Sequence, residues 1–145
     1  MREPARLAVI DTNVVAGALT TRESQSPTAR IFAAMATGHL RFLLSEELLA
    51  EYATVLRRPR IRSQSGLNPD EISEILERLA SNGETIALEP YAGPVPPDPK
   101  DAHLWALLVA VPSSVLITGD RTLREATRGF AVALTPREFT ERFGL

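Results

Sequence analysis

Four acidic residues, Asp11, Glu51, Asp101 and Asp120, occupy positions where a lone carboxylate would be costly. Asp11 ends the aliphatic run Leu7-Ala8-Val9-Ile10, and Asp120 follows Val115-Leu116-Ile117-Thr118-Gly119. An aliphatic run that stops at an acid fits a buried strand delivering a carboxylate at its C-terminal end, the edge where open α/β sheets bind ligands. Asp101 has Leu104, Trp105 and Leu108 at i+3, i+4 and i+7, which puts it on the apolar stripe of its own helix. Glu51 borders the stripe Leu48, Leu49, Tyr52, Val55 and Leu56, with Glu47 a weaker candidate one turn earlier. Converging carboxylates repel one another unless hard cations lie between them. Oxygen-only ligation suits Mg²⁺ or Mn²⁺, and two such ions roughly 4 Å apart can activate water and stabilise the leaving oxygen in phosphodiester hydrolysis. Each acid also has a plainer reading. Asp11 and Asp120 are ordinary turn residues, Glu51 is an exposed helical acid, and Asp101 draws on the donors of a helix N-terminus.

The elements that must position these acids alternate along the chain. Strands are expected at 7–10, 41–44, 85–88, 115–118 and 130–134. Helices are expected at 14–19, from Pro27 to the stop at Gly38, from Glu46 to about Arg58, from Pro69 to Gly83, after Pro99, and from Pro136. Ser45, Asn68, Asp98 and Thr135 are natural N-caps, and capping accounts for Asp98. Arg60 to Leu67 reads as a polar connection, and the prolines between Pro90 and Pro99 as a stiff loop over the sheet edge. Short connections between alternating strands and helices imply an α/β fold with a parallel sheet of about five strands covered on both faces. Trp105 and Tyr52 fall on apolar stripes as core residues. His103 points about 160° away from Asp101 around a helix, which favours a surface or packing role, and His39 reads as a turn residue.

Composition narrows the chemistry. The 145 residues suit one domain spanning 1–145, and 44% apolar content fits a globular core. Cysteine is absent, which excludes disulfides, thiolate nucleophiles and zinc-thiolate sites. No apolar run approaches the ~20 residues of a membrane span, and with a charged Met1-Arg2-Glu3-Pro4 start the expected location is the cytoplasm. A net charge of −2 gives no global attraction for nucleic acid. Every basic residue but Lys100 is arginine, however, and Arg57, Arg58, Arg60 and Arg62 fall close together. With Arg121 they are candidates for RNA or partner contact, since a guanidinium fork suits phosphate.

These residues resemble the motifs of the PIN domain family of metal-dependent nucleases, and the likeness covers nearly the whole chain. Val9-Ile10-Asp11-Thr12-Asn13 is similar to the first motif, and Ser45 through Glu51 to Leu56-Arg57-Arg58-Pro59 to the second. Asp98-Pro99-Lys100-Asp101 with Leu104-Trp105-Ala106 is similar to the third, and Thr118-Gly119-Asp120 to the fourth. The resemblance is strongest to the VapC-like toxin branch. It implies a three-layer α/β/α sandwich, with Asp11, Glu51, Asp101 and Asp120 as metal-binding and catalytic acids and Asn13, Thr118 and Asp98 as accessory polar residues. The implied reaction is Mg²⁺- or Mn²⁺-dependent cleavage of RNA that leaves a 5′-phosphate and a 3′-hydroxyl. The implied partners are a cognate antitoxin and a second copy of the chain. Thr122 stands where many relatives carry a further acid, and Lys100 and Ala102 dilute the third motif, so the ion count is one or two.

Two other classes fit parts of the pattern. A non-catalytic PIN-like module would bind RNA or protein and keep its acids as caps and turns. A phosphatase with Asp11 as nucleophile would usually carry an acid two residues on, where this chain has Asn13. Neither a GxxxxGK phosphate loop nor a GxSxG elbow occurs.

Overall fold

A computed structural model describes residues 7–145, so the charged start from Met1 to Pro4 lies outside the described residues. The two central strands, β1 (Ala8–Ile10) and β4 (Val115–Ile117), are buried at every position. Parallel strands covered on both faces have no solvent side, which is why both read as unbroken aliphatic runs. They pair in parallel with Ala8 opposite Val115 and Ile10 opposite Ile117, and β5 (Val132–Leu134) pairs in parallel on the far side of β4.

On the other flank, β2 (Leu43–Leu44) pairs in parallel with β3 (Glu84–Thr85). A parallel bridge from Ala8 to Phe42, with the Ala8 N–H donating to the Arg41 carbonyl at 3.1 Å, joins β2 to β1. The spatial order is therefore β3-β2-β1-β4-β5, the central sheet of a three-layer α/β/α sandwich. The chain moves outward from β1 through β2 to β3, then returns to β4 on the opposite side. That reversal puts the topological switch between the C-terminal ends of β1 and β4, the usual ligand crevice of such sheets.

The helices are α1 (Thr12–Thr20), α2 (Pro27–Thr37), α3 (Glu46–Leu56), α4 (Pro59–Ser65), α5 (Pro69–Asn82), α6 (Ala102–Ala110), α7 (Arg121–Ala126) and α8 (Pro136–Phe143). Side-chain caps set several starts: Ser26, Ser45, Asn68 and Thr135 accept N–H bonds from the first turns of α2, α3, α5 and α8. Asn68–Glu71 and Thr135–Glu138 form reciprocal capping boxes. Gly38 ends α2 with φ +78°, a conformation that favours a residue without Cβ.

The structure corrects the expected segment after Pro59 and the expected strand lengths, and adds one helix that the sequence pattern leaves unassigned. The segment after Pro59 is not a polar connection but helix α4, because Pro59 ends α3 and at the same time supplies the first residue of α4, which Gly66 closes at φ +71°. The unassigned stretch after Asp120 forms helix α7, capped by Asp120 itself. The strands are shorter than expected: β3 covers Glu84–Thr85 where 85–88 is expected, and β5 begins at Val132 rather than at Phe130. No helix among the described residues is long and apolar enough to cross a membrane.

Candidate active site

Asp11 leaves β1 at the switch and is 7% exposed. Its N–H continues the sheet by donating to the Ile117 carbonyl at 3.0 Å, so its position is fixed by the β1/β4 ladder. Thr118, fully buried one residue past β4, donates its hydroxyl to Asp11 Oδ2 at 2.6 Å. The same Thr118 oxygen accepts the Asp120 N–H at 3.0 Å. One hydroxyl thus links the two strand-end acids. Asp120 is exposed and caps α7 by accepting the Leu123 N–H at 3.3 Å. Behind them, Arg124 donates Nη1 to the Thr118 carbonyl at 3.0 Å.

The other two acids arrive on helices. Glu51 is half-buried on α3, and the next residue, the wholly buried Tyr52, donates its hydroxyl to the Ile10 carbonyl at 2.5 Å. This bond ties α3 to the strand residue immediately before Asp11. Asp98 accepts the Lys100 N–H at 3.0 Å and caps a 3₁₀ turn, Pro99–Asp101, which hands Asp101 to the start of α6. Asp101 itself makes no side-chain cap bond to α6.

The four acids feel one another. Burial raises the Asp11 carboxyl above its usual range; the Thr118 hydrogen bond opposes this, and the charges of Glu51 and Asp120 add to it. Asp101 is pushed up to about 6 by burial first and then by Asp11, Asp98 and Glu51, with His103 pulling the other way. The Tyr52 hydroxyl is raised well above its ordinary value by burial and by Asp11 and Glu51.

His103 is the residue that sequence reasoning missed. It is 8% exposed, and its Nε2 lies 2.6 Å from Glu51 Oε2, while its Nδ1 is buried with no hydrogen-bond partner among the described residues. Pointing away from Asp101 carries it toward α3, and only knowledge of the neighbouring helix would have revealed that. Tyr52 and Arg124 were likewise invisible as site residues, Tyr52 because its apolar-stripe position explains it as core.

The remaining candidates fall at different distances from chemistry. Asn13 is exposed in the first turn of α1, two residues after Asp11. Arg57 donates to Ser73 Oγ at 2.9 Å, an exposed tie to α5, whereas Arg58, Arg60 and Arg62 are exposed at the start and along one turn of α4. Arg121 pairs with Glu125 at 2.9 Å on the surface of α7.

All-oxygen donors, two of whose carboxyls are raised by burial and by neighbouring acids, have the chemistry that suits a hard divalent cation. The side chains are not drawn to one point: among the described residues, no three of His, Cys, Asp and Glu stand together as a ready metal-holding group. Glu51 is turned to His103 instead.

The chain matches no curated protein. A family model described as PIN domain matches residues 7–122, which spans β1 through the start of α7 and contains all four acids. Members of that family are in general metal-dependent nucleases, and the parallel sheet with acids at its switch point agrees with the match. On these grounds the chain belongs to the PIN domain family.

Proposed function

We propose that this single nuclease domain is a Mg²⁺- or Mn²⁺-dependent endoribonuclease, the VapC-like toxin of a type II toxin–antitoxin pair acting in the cytoplasm. The observation that supports the reading is that Asp11 feels the charges of Glu51 and Asp120, and Asp101 those of Asp11 and Glu51, around the β1/β4 switch, where burial first and these charges second raise Asp11 and Asp101. Such a cluster favours cations and, once neutralised, admits an anionic substrate to a protein of net charge −2.

Asp11, Glu51, Asp101 and Asp120 are the residues that would hold one or two ions. When bound, these ions supply activation of water and stabilisation of the leaving oxygen. Thr118 orients Asp11 and fixes the Asp120 backbone, and Tyr52 sets the height of α3 against β1. His103 positions Glu51 in the manner of an outer-shell partner to a ligating carboxylate. Asn13 is accessory at the mouth, and a second copy of the chain and an antitoxin are the expected partners.

The test is cleavage of RNA by the purified protein with Mn²⁺, abolished by EDTA. Asp11→Asn and Asp120→Asn are each expected to abolish cutting. Asp11→Asn should hold or raise the thermal midpoint, since an amide still accepts the Thr118 hydroxyl and removes a buried charge. Metal-dependent cleavage retained in both variants overturns the mechanism.

A further inference from the structure

Beside the acids, a groove of 460 Å³ runs along α7 and the outer edge of β5, lined among others by Arg121, Arg124, Arg128, Glu125, Val132 and Glu138. Resting on the nuclease reading, the geometry points to this groove as a track for the RNA sugar-phosphate backbone on one side of the cut. Arg121, Arg124 and Arg128 follow at i, i+3 and i+7, which places three guanidiniums on one face of α7 and the turn that prolongs it. Two carboxylates share the lining: Glu125 pairs with Arg121 at the exposed surface and Glu138 accepts the Thr135 N–H, so the three guanidiniums outnumber the acids by one. The Arg128 backbone N–H donates to the Glu125 carbonyl at 3.3 Å, but among the described residues its exposed guanidinium makes no hydrogen bond or ion pair, so those donors are open to a ligand.

The groove starts where the acids end. Arg121 is the residue after Asp120, and Arg124 holds the carbonyl of Thr118, whose hydroxyl holds Asp11. A chain placed for cutting at the acids passes over these arginines as it leaves. β5 pairs only with β4 among the described residues, so this flank of the sheet is open. A protein strand added to that edge would find just three strand residues and a single exposed large apolar side chain, Val132. Guanidinium forks suit phosphate better than they suit a backbone ladder.

The test uses the full chain carrying Asp11→Asn, to stop cutting, and a short fluorescent single-stranded RNA of mixed sequence followed by anisotropy across a salt series. Arg121→Glu with Arg128→Glu alters two exposed side chains, and an unchanged thermal midpoint controls for folding. The expected result is binding weakened about tenfold or more, with a slope of log affinity against log salt shallower by about 1.4, roughly 0.7 per lost phosphate contact on a single strand. Unchanged affinity and slope overturn the track and leave the open edge to a protein strand. Millimolar inorganic phosphate should displace RNA no better than chloride of equal ionic strength. Displacement by phosphate that the double variant abolishes assigns the groove to a free ion and also overturns the track. Absence of Mn²⁺-dependent cleavage by the unaltered chain sinks the nuclease reading itself, whereas cleavage with unchanged binding by the double variant sinks only the groove.

Discussion

Asp11 and Asp120 leave the ends of two neighbouring strands, whereas Glu51 and Asp101 ride on helices that reach the same edge from outside the sheet. The first pair is bound by the β1/β4 ladder and by one buried hydroxyl that touches both residues. The second pair is placed by helix ends and by a histidine, and Glu51 keeps 34% of its side chain exposed. Sheet pairing fixes the Asp11 backbone, and the Thr118 hydroxyl and the α7 cap hold Asp120. The helix acids keep more freedom, and Glu51 is turned to His103.

The sharpest way to break the contrast is Thr118→Val, which keeps the side-chain shape while removing the shared hydroxyl. Asp11 then loses a donor and the Asp120 N–H an acceptor. A stability loss of roughly 1–3 kcal/mol is expected from the unsatisfied buried groups, seen as a thermal midpoint several degrees lower, with Mn²⁺ binding lost in calorimetry. A Thr118→Val protein that melts and binds metal like the parent would show that the strand acids do not depend on this link.

The matching change on the helix side is His103→Ala. Because Glu51 is partly solvated, a smaller stability effect is expected, with Mn²⁺ affinity weakened by about 10–100-fold. His103→Gln, which can still donate to Glu51, should recover much of that affinity. Equal affinity in all three proteins would reduce His103 to packing.

The mildest test is pH. Asp101 is raised from its usual range to about 6 in the folded chain, so the native state holds a proton that the unfolded chain has released. Its contribution to metal-free stability is therefore fully present below about 4 and is lost as pH rises through about 6. Metal affinity should move the opposite way, falling as pH drops below about 6, because ligation needs the carboxylate. Urea titrations of the parent and Asp101→Asn should differ in pH dependence across this window, and parallel profiles would remove Asp101 as the titrating group.

The same contrast separates what the sequence reveals from what it hides. An aliphatic run that stops at an acid is a local signal, so Asp11 and Asp120 are legible from their own neighbours. Asp101 and Glu51 are legible as acids beside apolar stripes, although their partners are not. His103 looks unrelated when judged against Asp101 alone, because its partner sits on another helix 52 residues earlier in the chain. Helix α4 was hidden by Pro59, which serves as a stop and a start in one residue. Helix α7 has only six residues and too few apolar positions to show a period.

The bond from Tyr52 to the Ile10 carbonyl has a kinetic meaning. It fastens the body of α3 to the strand that carries Asp11, at the residue next to Glu51. Swinging a helix or a domain to complete the ligand set would break a buried hydroxyl bond, while turning Glu51 about its own side-chain torsions breaks only its contact with His103. Ion capture is then expected to be a rotamer event in a preset frame, faster than the microsecond-to-millisecond range of hinge motion.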